Sequence, residues 1–211
     1  HLSIRRQRQM CIRDSNNRGH VIHVKANNTV ISNFTIRKSL RYTTHGIYLD
    51  GSSNSTVQNN NIADNTVGVA LAFGSNNMLM DNNITNNVVG IYLYMSSNDN
   101  IYGNSMANNE QDGIRLEYSS NNTLRDNNMT DNTYNFEVLG WELSYFINDV
   151  DASNTINNKP IYYWINKRDM AVPTDAGYVA IINSTNITVK GLDLKNNPLG
   201  CLLYTSDAAD E

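Results

Sequence analysis

The sequence predicts an all-β protein, a right-handed single-stranded parallel β-helix whose coils have about 22 residues and three short strands each. Three observations support this prediction. A five-residue phrase recurs at nearly constant spacing, apolar residues alternate at a period of two within each copy, and asparagines occupy fixed positions in every copy. The phrase occurs as GIYLD from Gly46, GVALA from Gly68, GIYLY from Gly90 and GIRLE from Gly113.

The first strand of each coil follows the glycine. Apolar residues stand one and three positions after it, so side chains of one parity are expected to face the interior. Two further segments of each coil contain one reliably apolar residue apiece, which predicts a second and a third strand. The four resulting columns are Ile47, Val69, Ile91 and Ile114; Leu49, Leu71, Leu93 and Leu116; Val57, Leu79, Ile101 and Leu124; and Ile62, Ile84, Met106 and Met129.

Asparagine columns mark the turns between the strands. Asparagine tolerates left-handed backbone, and its amide both donates and accepts, so equivalent side chains one coil apart can form a hydrogen-bonded ladder. We therefore expect ladders along three columns, with a serine column beside the first. The columns are Asn54, Asn76, Asn98 and Asn121; Asn60, Asn82, Asn104 and Asn127; Asn65, Asn87, Asn109 and Asn132; and Ser53, Ser75, Ser97 and Ser120.

The repeat domain is predicted to span residues 16–200, with an earlier copy at Gly19 and a later one at Gly177. Residues 136–176 break the register and contain both tryptophans. This predicts an insertion that loops off one coil and packs against the side of the solenoid. Its aromatic residues are expected to form the small core that attaches it: Trp141, Tyr162, Tyr163 and Trp164.

The two ends of the chain depart from the repeat. Residues 1–15 are basic and residues 201–211 lack the asparagine pattern, and both strings resemble translated linker or adapter sequence. We expect them to be non-native flanks around a truncated solenoid. Cys11 and Cys201 lie at opposite ends of an extended molecule, so a disulfide between them is not expected.

Bulk composition excludes several classes of protein. The chain has 211 residues, 40% of them hydrophobic, and a net charge of −4, which suits one elongated domain and argues against a nucleic-acid partner. No run of about 18 apolar residues occurs, so no transmembrane helix is predicted.

The unit G-I-x-L-x-x-S-S-N-N-T-(V/L)-x-x-N-x-(I/M) resembles the parallel β-helix repeat of the NosD family. The segment from Gly140 to Met170, which contains KPIYYW, and the segment from Pro173 to Leu194 resemble archaeal cell-surface members. The resemblance covers about residues 16–200. It implies a secreted, periplasmic or cell-surface β-helix of the carbohydrate-binding and sugar-hydrolase type, with some members described as periplasmic copper-binding proteins.

Outward positions of the first strand offer a candidate carbohydrate site. Aromatic rings along a rigid face can stack on sugars, while Arg and Glu side chains bind hydroxyl groups. The alternative is that these tyrosines only cover the strand surface. The candidate ligand-binding residues are Tyr48, Tyr92, Tyr94, Arg115, Glu117 and Tyr118.

A polysaccharide hydrolase or lyase is the enzymatic alternative. Hydrolysis needs two carboxyl groups about 5 to 9.5 Å apart. At the strand spacing, Asp50 and Glu117 are three coils, or about 14 Å, apart, and Asp81 and Asp126 are two coils, or about 10 Å, apart. No catalytic pair is therefore predicted, and the enzyme remains an alternative.

Copper delivery is the third alternative, and it would need converging imidazole or thioether ligands. His20 and His23 are three residues apart, so on a strand they would point to opposite faces, and His45 is the next candidate. We predict no metal site and no cofactor. The preferred hypothesis is a non-enzymatic exported scaffold that binds a glycan or cell-envelope polysaccharide along its tyrosine face.

Overall fold

A computed structural model describes residues 12–14, 19–39, 44–198 and 201–204, and it confirms the parallel β-helix. In chain order the elements are β1 (Ile12–Asp14), β2 (Ile22–Val24), β3 (Val30–Ser32), β4 (Thr35–Ser39), β5 (His45–Asp50), β6 (Thr56–Gln58), β7 (Asn61–Asn65), β8 (Val67–Ala72), β9 (Met78–Met80), β10 (Asn83–Thr85), β11 (Val89–Tyr94), β12 (Asn100–Tyr102), β13 (Ser105–Ala107), β14 (Asp112–Glu117), β15 (Thr123–Arg125), β16 (Asn128–Thr130), β17 (Tyr134–Leu139), a 3-10 helix (Leu143–Phe146), β18 (Asp149–Val150), β19 (Thr155–Ile156), β20 (Lys159–Ile165), β21 (Arg168–Ala171), β22 (Tyr178–Ile182), β23 (Thr185–Thr188) and β24 (Cys201–Tyr204).

Three sheets run along the solenoid, and each of the six coils from β2–β4 to β17–β19 contributes one parallel strand to each sheet. Sheet 1 has the order β17-β14-β11-β8-β5-β2, and sheet 2 has the order β18-β15-β12-β9-β6-β3. Sheet 3 runs from β1 through β4, β7, β10, β13 and β16 to β19, and then continues into β20, β22 and β24. A small separate sheet pairs β21 with β23.

The core consists of the predicted apolar columns. Leu71 pairs with Leu49 on one side and Leu93 on the other, and Leu93 pairs in turn with Leu116. These four side chains are at most 1% exposed, so like residues of successive coils are stacked and buried. A Cβ on Gly90 would lie 2.5 Å from the carbonyl oxygen of Gly113 in the next coil, which explains why this column is glycine.

Two of the predicted asparagine ladders are present as expected. In the ladder of Asn60, Asn82, Asn104, Asn127 and Asn154, each Nδ2 donates to the next Oδ1 at 2.8 to 3.1 Å. These side chains also donate to backbone carbonyls of the preceding coil, as Asn104 does to the oxygen of Leu79 at 2.9 Å. The ladders satisfy buried backbone groups that the short strands leave without partners.

The ladder predicted along the first asparagine column is wrong by one residue. Asn54, Asn76, Asn98 and Asn121 are exposed and have left-handed backbone, with φ between 56° and 60°. The following residue turns inward, and a buried ladder runs through Ser55, Asn77, Asp99, Asn122 and Asn148.

The predicted insertion is wrong over residues 136–156. Phe136 and Val138 pair with Ile114 and Leu116 in sheet 1, so the strand register continues. In this coil β18 also extends sheet 2 and β19 extends sheet 3. Asn157 and Asn158 then reverse the chain, with φ of 49° and 64°, and β20 is antiparallel to β19. Two consecutive left-handed residues are typical of a tight type I′ hairpin turn.

A segment that follows the predicted insertion covers the end of an asparagine ladder. The oxygen of Asn196 accepts hydrogen bonds from the backbone N–H and the Nδ2 of Asn135, at 2.7 and 3.0 Å. Nδ2 of Asn132, the last residue of the ladder that starts at Asn65, donates to Oδ1 of Asn135 at 3.0 Å. The segment that contains Asn196 therefore caps this ladder. The predicted aromatic core is divided: Tyr163 is buried, but Trp141 is 62% exposed.

The flanks contribute strands to the solenoid. β1 pairs with β4 and β24 pairs with β22, both in parallel. The other flank residues lie outside those that the structure describes. Within the described ranges, no helix has the length and apolar character needed to cross a bilayer.

Candidate functional site

The outer face of sheet 1 carries the candidate site. Alternation along each strand places every second side chain on this face. One column contains His23, Tyr48, Ala70, Tyr92, Arg115 and Glu137, and the next contains Asp50, Ala72, Tyr94, Glu117 and Leu139. Five of the six candidate residues therefore share this face, and Tyr118 lies at its rim, directly after β14.

A groove crosses this face where the coil of β8 carries alanines. Its volume is about 420 Å³, and its lining includes Ala70 and Ala72 together with Tyr48, Tyr92 and Tyr94. The two alanines are 2% and 6% exposed and form the floor. Since Tyr48 and Tyr92 stand on strands two apart, the walls are separated by about 10 Å at the backbone.

Three histidines form a cluster with Tyr48 at one end of the groove. The ring of His20 lies 4.9 Å from that of His23 and 4.7 Å from that of His45, and the Tyr48 ring lies within 5.0 Å of all three. The predicted opposite orientation of His20 and His23 is wrong, because His20 precedes β2 and the strand alternation does not apply to it.

Burial, with the neighbouring His20 and His23, lowers the pKa of His45 to about 4. Burial and His23 also lower the pKa of His20. These two rings are therefore neutral at pH 7. At the outer edge of the cluster, Asp50 contacts His23 at 3.0 Å and Lys25 at 3.1 Å.

The histidine cluster does not fit the copper site that the family resemblance implies. Nδ1 of His20 lies 2.9 Å from Nδ1 of His45 and accepts a hydrogen bond from the His45 backbone N–H at 3.1 Å. Nε2 of His23 is bonded to Asp50. Three of the six ring nitrogens thus contact protein groups. Among the described residues no three His, Cys, Asp or Glu side chains are placed to hold a metal ion.

A charged group lies behind the Tyr92 wall, outside the lining of the groove. The Tyr92 hydroxyl donates to Oε2 of Glu117 at 2.7 Å, and burial followed by this hydrogen bond raises the pKa of Tyr92 far above its usual value. Arg115 lies 2.8 Å from Glu137, 3.8 Å from Asp112 and 4.0 Å from Glu117. One guanidinium group is therefore surrounded by three carboxyl groups.

Asp112 is the most buried member of this charged group. The residue is 2% exposed, and its Oδ1 has no hydrogen-bond partner. Burial raises the pKa of Asp112 to about 6, and Glu137 adds to the rise while Arg115 opposes it.

An aromatic stripe follows the edge of the face over four coils. Neighbouring ring centroids are 5.4 Å apart between Phe73 and Tyr94, 5.8 Å between Tyr94 and Tyr118, and 4.1 Å between Tyr118 and Trp141. Tyr145 packs against the last two rings. Phe73 and Tyr118 have left-handed backbone, with φ of 58° and 51°, a conformation that is unfavourable for bulky residues.

Sequence reasoning missed part of this site. Asp112, Glu137 and Trp141 were not among the candidates, and the two alanines were not recognised as a groove floor. The signal for Glu137 was its F-x-V context, which repeats the I-x-L alternation of the earlier strands. Asp81 and Asp126, which the sequence analysis did not predict to be a catalytic pair, lie elsewhere, in left-handed turns that follow β9 and β15 of sheet 2.

Comparisons with known proteins agree with this architecture. A double mutant of the periplasmic alginate epimerase AlgG matches with a TM-score of 0.53 and 22% identity, over 80% of this chain and 40% of that chain. The epimerase without these substitutions matches with a TM-score of 0.48 and 19% identity, over 87% of this chain and 40% of that chain. The present chain thus spans two fifths of the epimerase length, and the likeness concerns the fold.

No curated protein matches the chain by sequence. The family model described as periplasmic copper-binding protein (NosD) matches residues 10–168, which is well over half of the 211 residues. The match covers sheets 1 and 2 in full, including the outer face of sheet 1, and sheet 3 as far as β20. The chain therefore belongs to the NosD family.

Proposed function

We propose that this protein binds a glycan without cleaving it, in the groove on the outer face of sheet 1, and serves as a rigid exported scaffold. The observation that carries the proposal is the groove of about 420 Å³ whose floor is Ala70 and Ala72 and whose walls are tyrosines. The two small side chains leave room for one sugar ring between aromatic walls.

The chemistry of the groove suits a saccharide. Sugar rings have an apolar face, which stacks on aromatic side chains, and a rim of hydroxyl groups, which needs hydrogen-bonding partners. Here the floor and walls are apolar or aromatic, and imidazoles lie at one end. Arg115 with its carboxyl groups lies behind Tyr92, outside the lining. The aromatic stripe from Phe73 to Trp141 continues along the solenoid axis and supplies further stacking surfaces for a longer chain.

Binding without hydrolysis is favoured by the state of the nearby carboxyl groups. Asp112 has the raised pKa that a general acid needs, but it is only 2% exposed. Glu117 accepts a hydrogen bond from Tyr92, and Glu137 is paired with Arg115. A hydrolase would instead place two such groups on either side of a bound glycosidic bond.

An exported location belongs to the same proposal. The family is described as periplasmic, and an envelope or extracellular site would bring the protein into contact with polysaccharides. Copper delivery, the other role that the family name suggests, is not favoured by the histidine cluster, in which Nδ1 of His20 contacts Nδ1 of His45 and Nε2 of His23 contacts Asp50.

The double variant Tyr92→Ala, Tyr94→Ala is expected to weaken glycan binding at least about tenfold, because it removes two stacking surfaces from one wall of the groove. Affinity gel electrophoresis in hydroxyethyl cellulose, chitosan and alginate would measure the loss, with a thermal melt to verify folding. Tyr102→Ala is the matched control, since Tyr102 is 47% exposed on sheet 2.

Equal retardation of the double variant and the unmodified protein would contradict the proposed site, as would an equal loss in Tyr102→Ala. Release of reducing ends from any of these polymers by the unmodified protein would contradict the non-enzymatic role. If the glycan bound on sheet 2, the Tyr102→Ala control alone would lose affinity.

A further inference from the structure

We infer that the glycan bound by this face carries a protonated amine, and that Glu117 and Glu137 bind this amine beside the ring of Tyr92. The ligand class is thus an amino-sugar polysaccharide rather than a polyuronate. This inference rests on the proposed glycan-binding function and specifies its substrate.

The negative charges around Arg115 outnumber its single positive charge. Three carboxyl groups, those of Asp112, Glu117 and Glu137, lie within 4.0 Å of the single guanidinium of Arg115. Three negative charges against one positive leave an excess of two when all are ionised. A bound cation would compensate this excess, whereas a bound carboxylate would increase it.

Asp112 is an independent sign that the group lacks a positive partner. Its side chain is 3% exposed, its Oδ2 is 3.8 Å from Arg115, and its Oδ1 has no hydrogen-bond donor. A buried carboxylate without full compensation is unfavourable. The raised pKa of Asp112, caused by burial and by Glu137, is the expected consequence, and a nearby ammonium group would reduce it.

Among the described residues of this face, the Arg and Lys side chains already form ion pairs with carboxyl groups, and Arg115 Nε lies close to Glu137 without making a hydrogen bond. Arg115 is 2.8 Å from Glu137, and Lys25 is 3.1 Å from Asp50. His45 is neutral at pH 7 because burial and the neighbouring histidines lower its pKa to about 4. A uronate carboxylate would have to displace one of these carboxyl groups before it could form an ion pair.

The amine site is adjacent to the stacking site. Glu117 is 21% exposed at its side chain and Glu137 is 12% exposed, so both are partly open to solvent on this face. Since the Tyr92 hydroxyl lies 2.7 Å from Glu117, a sugar stacked on this ring would have its edge next to the carboxylate. Charge-assisted hydrogen bonds from an ammonium group to two carboxylates are strong and short.

Calorimetry with three hexasaccharides tests the inference: fully deacetylated glucosamine hexamer, its N-acetylated form, and hexagalacturonate. The deacetylated hexamer should bind at least about tenfold more tightly than the acetylated one, and hexagalacturonate should bind most weakly. Added salt should reduce this preference, since it depends on charge.

Variants Glu117→Gln and Glu137→Gln should abolish the preference for the amine, so that each variant binds the deacetylated and acetylated hexamers with equal affinity. The control is Asp193→Asn, which removes an exposed carboxylate paired with Lys195, outside sheet 1. It should retain the preference.

Equal affinity for the amine and acetylated hexamers, or tighter binding of hexagalacturonate, would overturn the inference and leave glycan binding intact. A second contrary result is a protein that shows no amine preference but binds Ca²⁺, added as calcium chloride, and loses this binding in Glu137→Gln. That result would also overturn the inference and assign the carboxyl group to a metal ion. Failure of all three hexasaccharides, together with failure in the affinity gels, would refute the proposed function itself.

Discussion

Replacement of Asp99 by Asn is expected to raise the free energy of unfolding at pH 8 by about 3 kcal/mol. Asp99 stands in the inner ladder where other coils have Asn77 and Asn122, and it is fully buried. Burial raises its pKa from 3.8 to about 6, a shift of roughly two units at about 1.4 kcal/mol each. The ionised carboxylate is therefore a cost that the amide does not have.

The pH dependence follows from the direction of this shift. The folded protein holds the Asp99 proton more tightly than the unfolded chain does, so the contribution of Asp99 is most favourable below pH 3.8. It is lost as the pH rises from 3.8 through about 6, and it stays constant above that. The stabilisation by Asp99→Asn should therefore be small at pH 4 and largest above pH 7.

Urea denaturation of both proteins across this pH range measures the difference. The pKa of Asp112 is also raised, but Asp112 is present in both proteins, so its contribution cancels in the difference between their unfolding free energies. Asp64→Asn is the matched control, because Asp64 is exposed and should change stability by less than about 0.5 kcal/mol. A destabilised Asp99→Asn protein at pH 8, or a pH-independent difference, would contradict the assigned cause.

Asn104→Leu is expected to destabilise the protein by about 3 to 5 kcal/mol. Its Nδ2 donates to Asn127 and to the carbonyl of Leu79, at 3.1 and 2.9 Å, and its Oδ1 accepts from the backbone and side chain of Asn82. Leucine has a similar size but leaves these buried groups unpaired, at about 1 to 3 kcal/mol each. Thermal and urea unfolding would measure the loss.

Asn83→Ala provides the comparison for this variant. Asn83 is exposed, and its Nδ2 bonds to Asn61 on the surface at 3.1 Å. Its replacement should cost less than about 0.5 kcal/mol. If Asn104→Leu and Asn83→Ala were equally mild, the ladder would not be a major source of stability, and the leucine and isoleucine columns alone would account for it.

The repeating part of the fold could be predicted because each coil restates the same pattern. Leu71 and Leu93 occupy the predicted column and are buried. The coil of β17 was missed because Asn135 replaces the glycine that opens the other copies, and because this coil is longer. Asn127 and Asn154 are 27 residues apart in the ladder, against 22 for Asn82 and Asn104.

The position of the inner ladder could not be decided from spacing. In the Asn76-Asn77 pair both residues are asparagine, and only the backbone determines which one turns inward. Asn76 takes the left-handed conformation, so Asn77 points into the solenoid. The sequence contained one hint, since Ser55 and Asp99 replace asparagine at the inner position and can still accept hydrogen bonds, from the backbone N–H groups of Thr29 and Asn77 respectively.

The candidate site was predictable where strand alternation holds and not where it fails. Tyr92 and Arg115 follow the alternation and were correctly placed on the outer face. Asp112 does not follow the alternation, because a Cβ on Gly113 and the side chain of Ile114 both face the interior. The side chain of Asp112 therefore lies on the outer side of the sheet, where it is buried beside Arg115. The groove was missed because its floor is formed by small side chains, which leave no positive signal.

A crystal structure of the protein with bound glucosamine hexamer tests the central claim most directly. The account predicts density for a sugar ring over Ala70 and Ala72, between Tyr48 and Tyr92, with an amine next to Glu117. Density for the sugar on sheet 2 or sheet 3, with an empty groove on sheet 1, would contradict it.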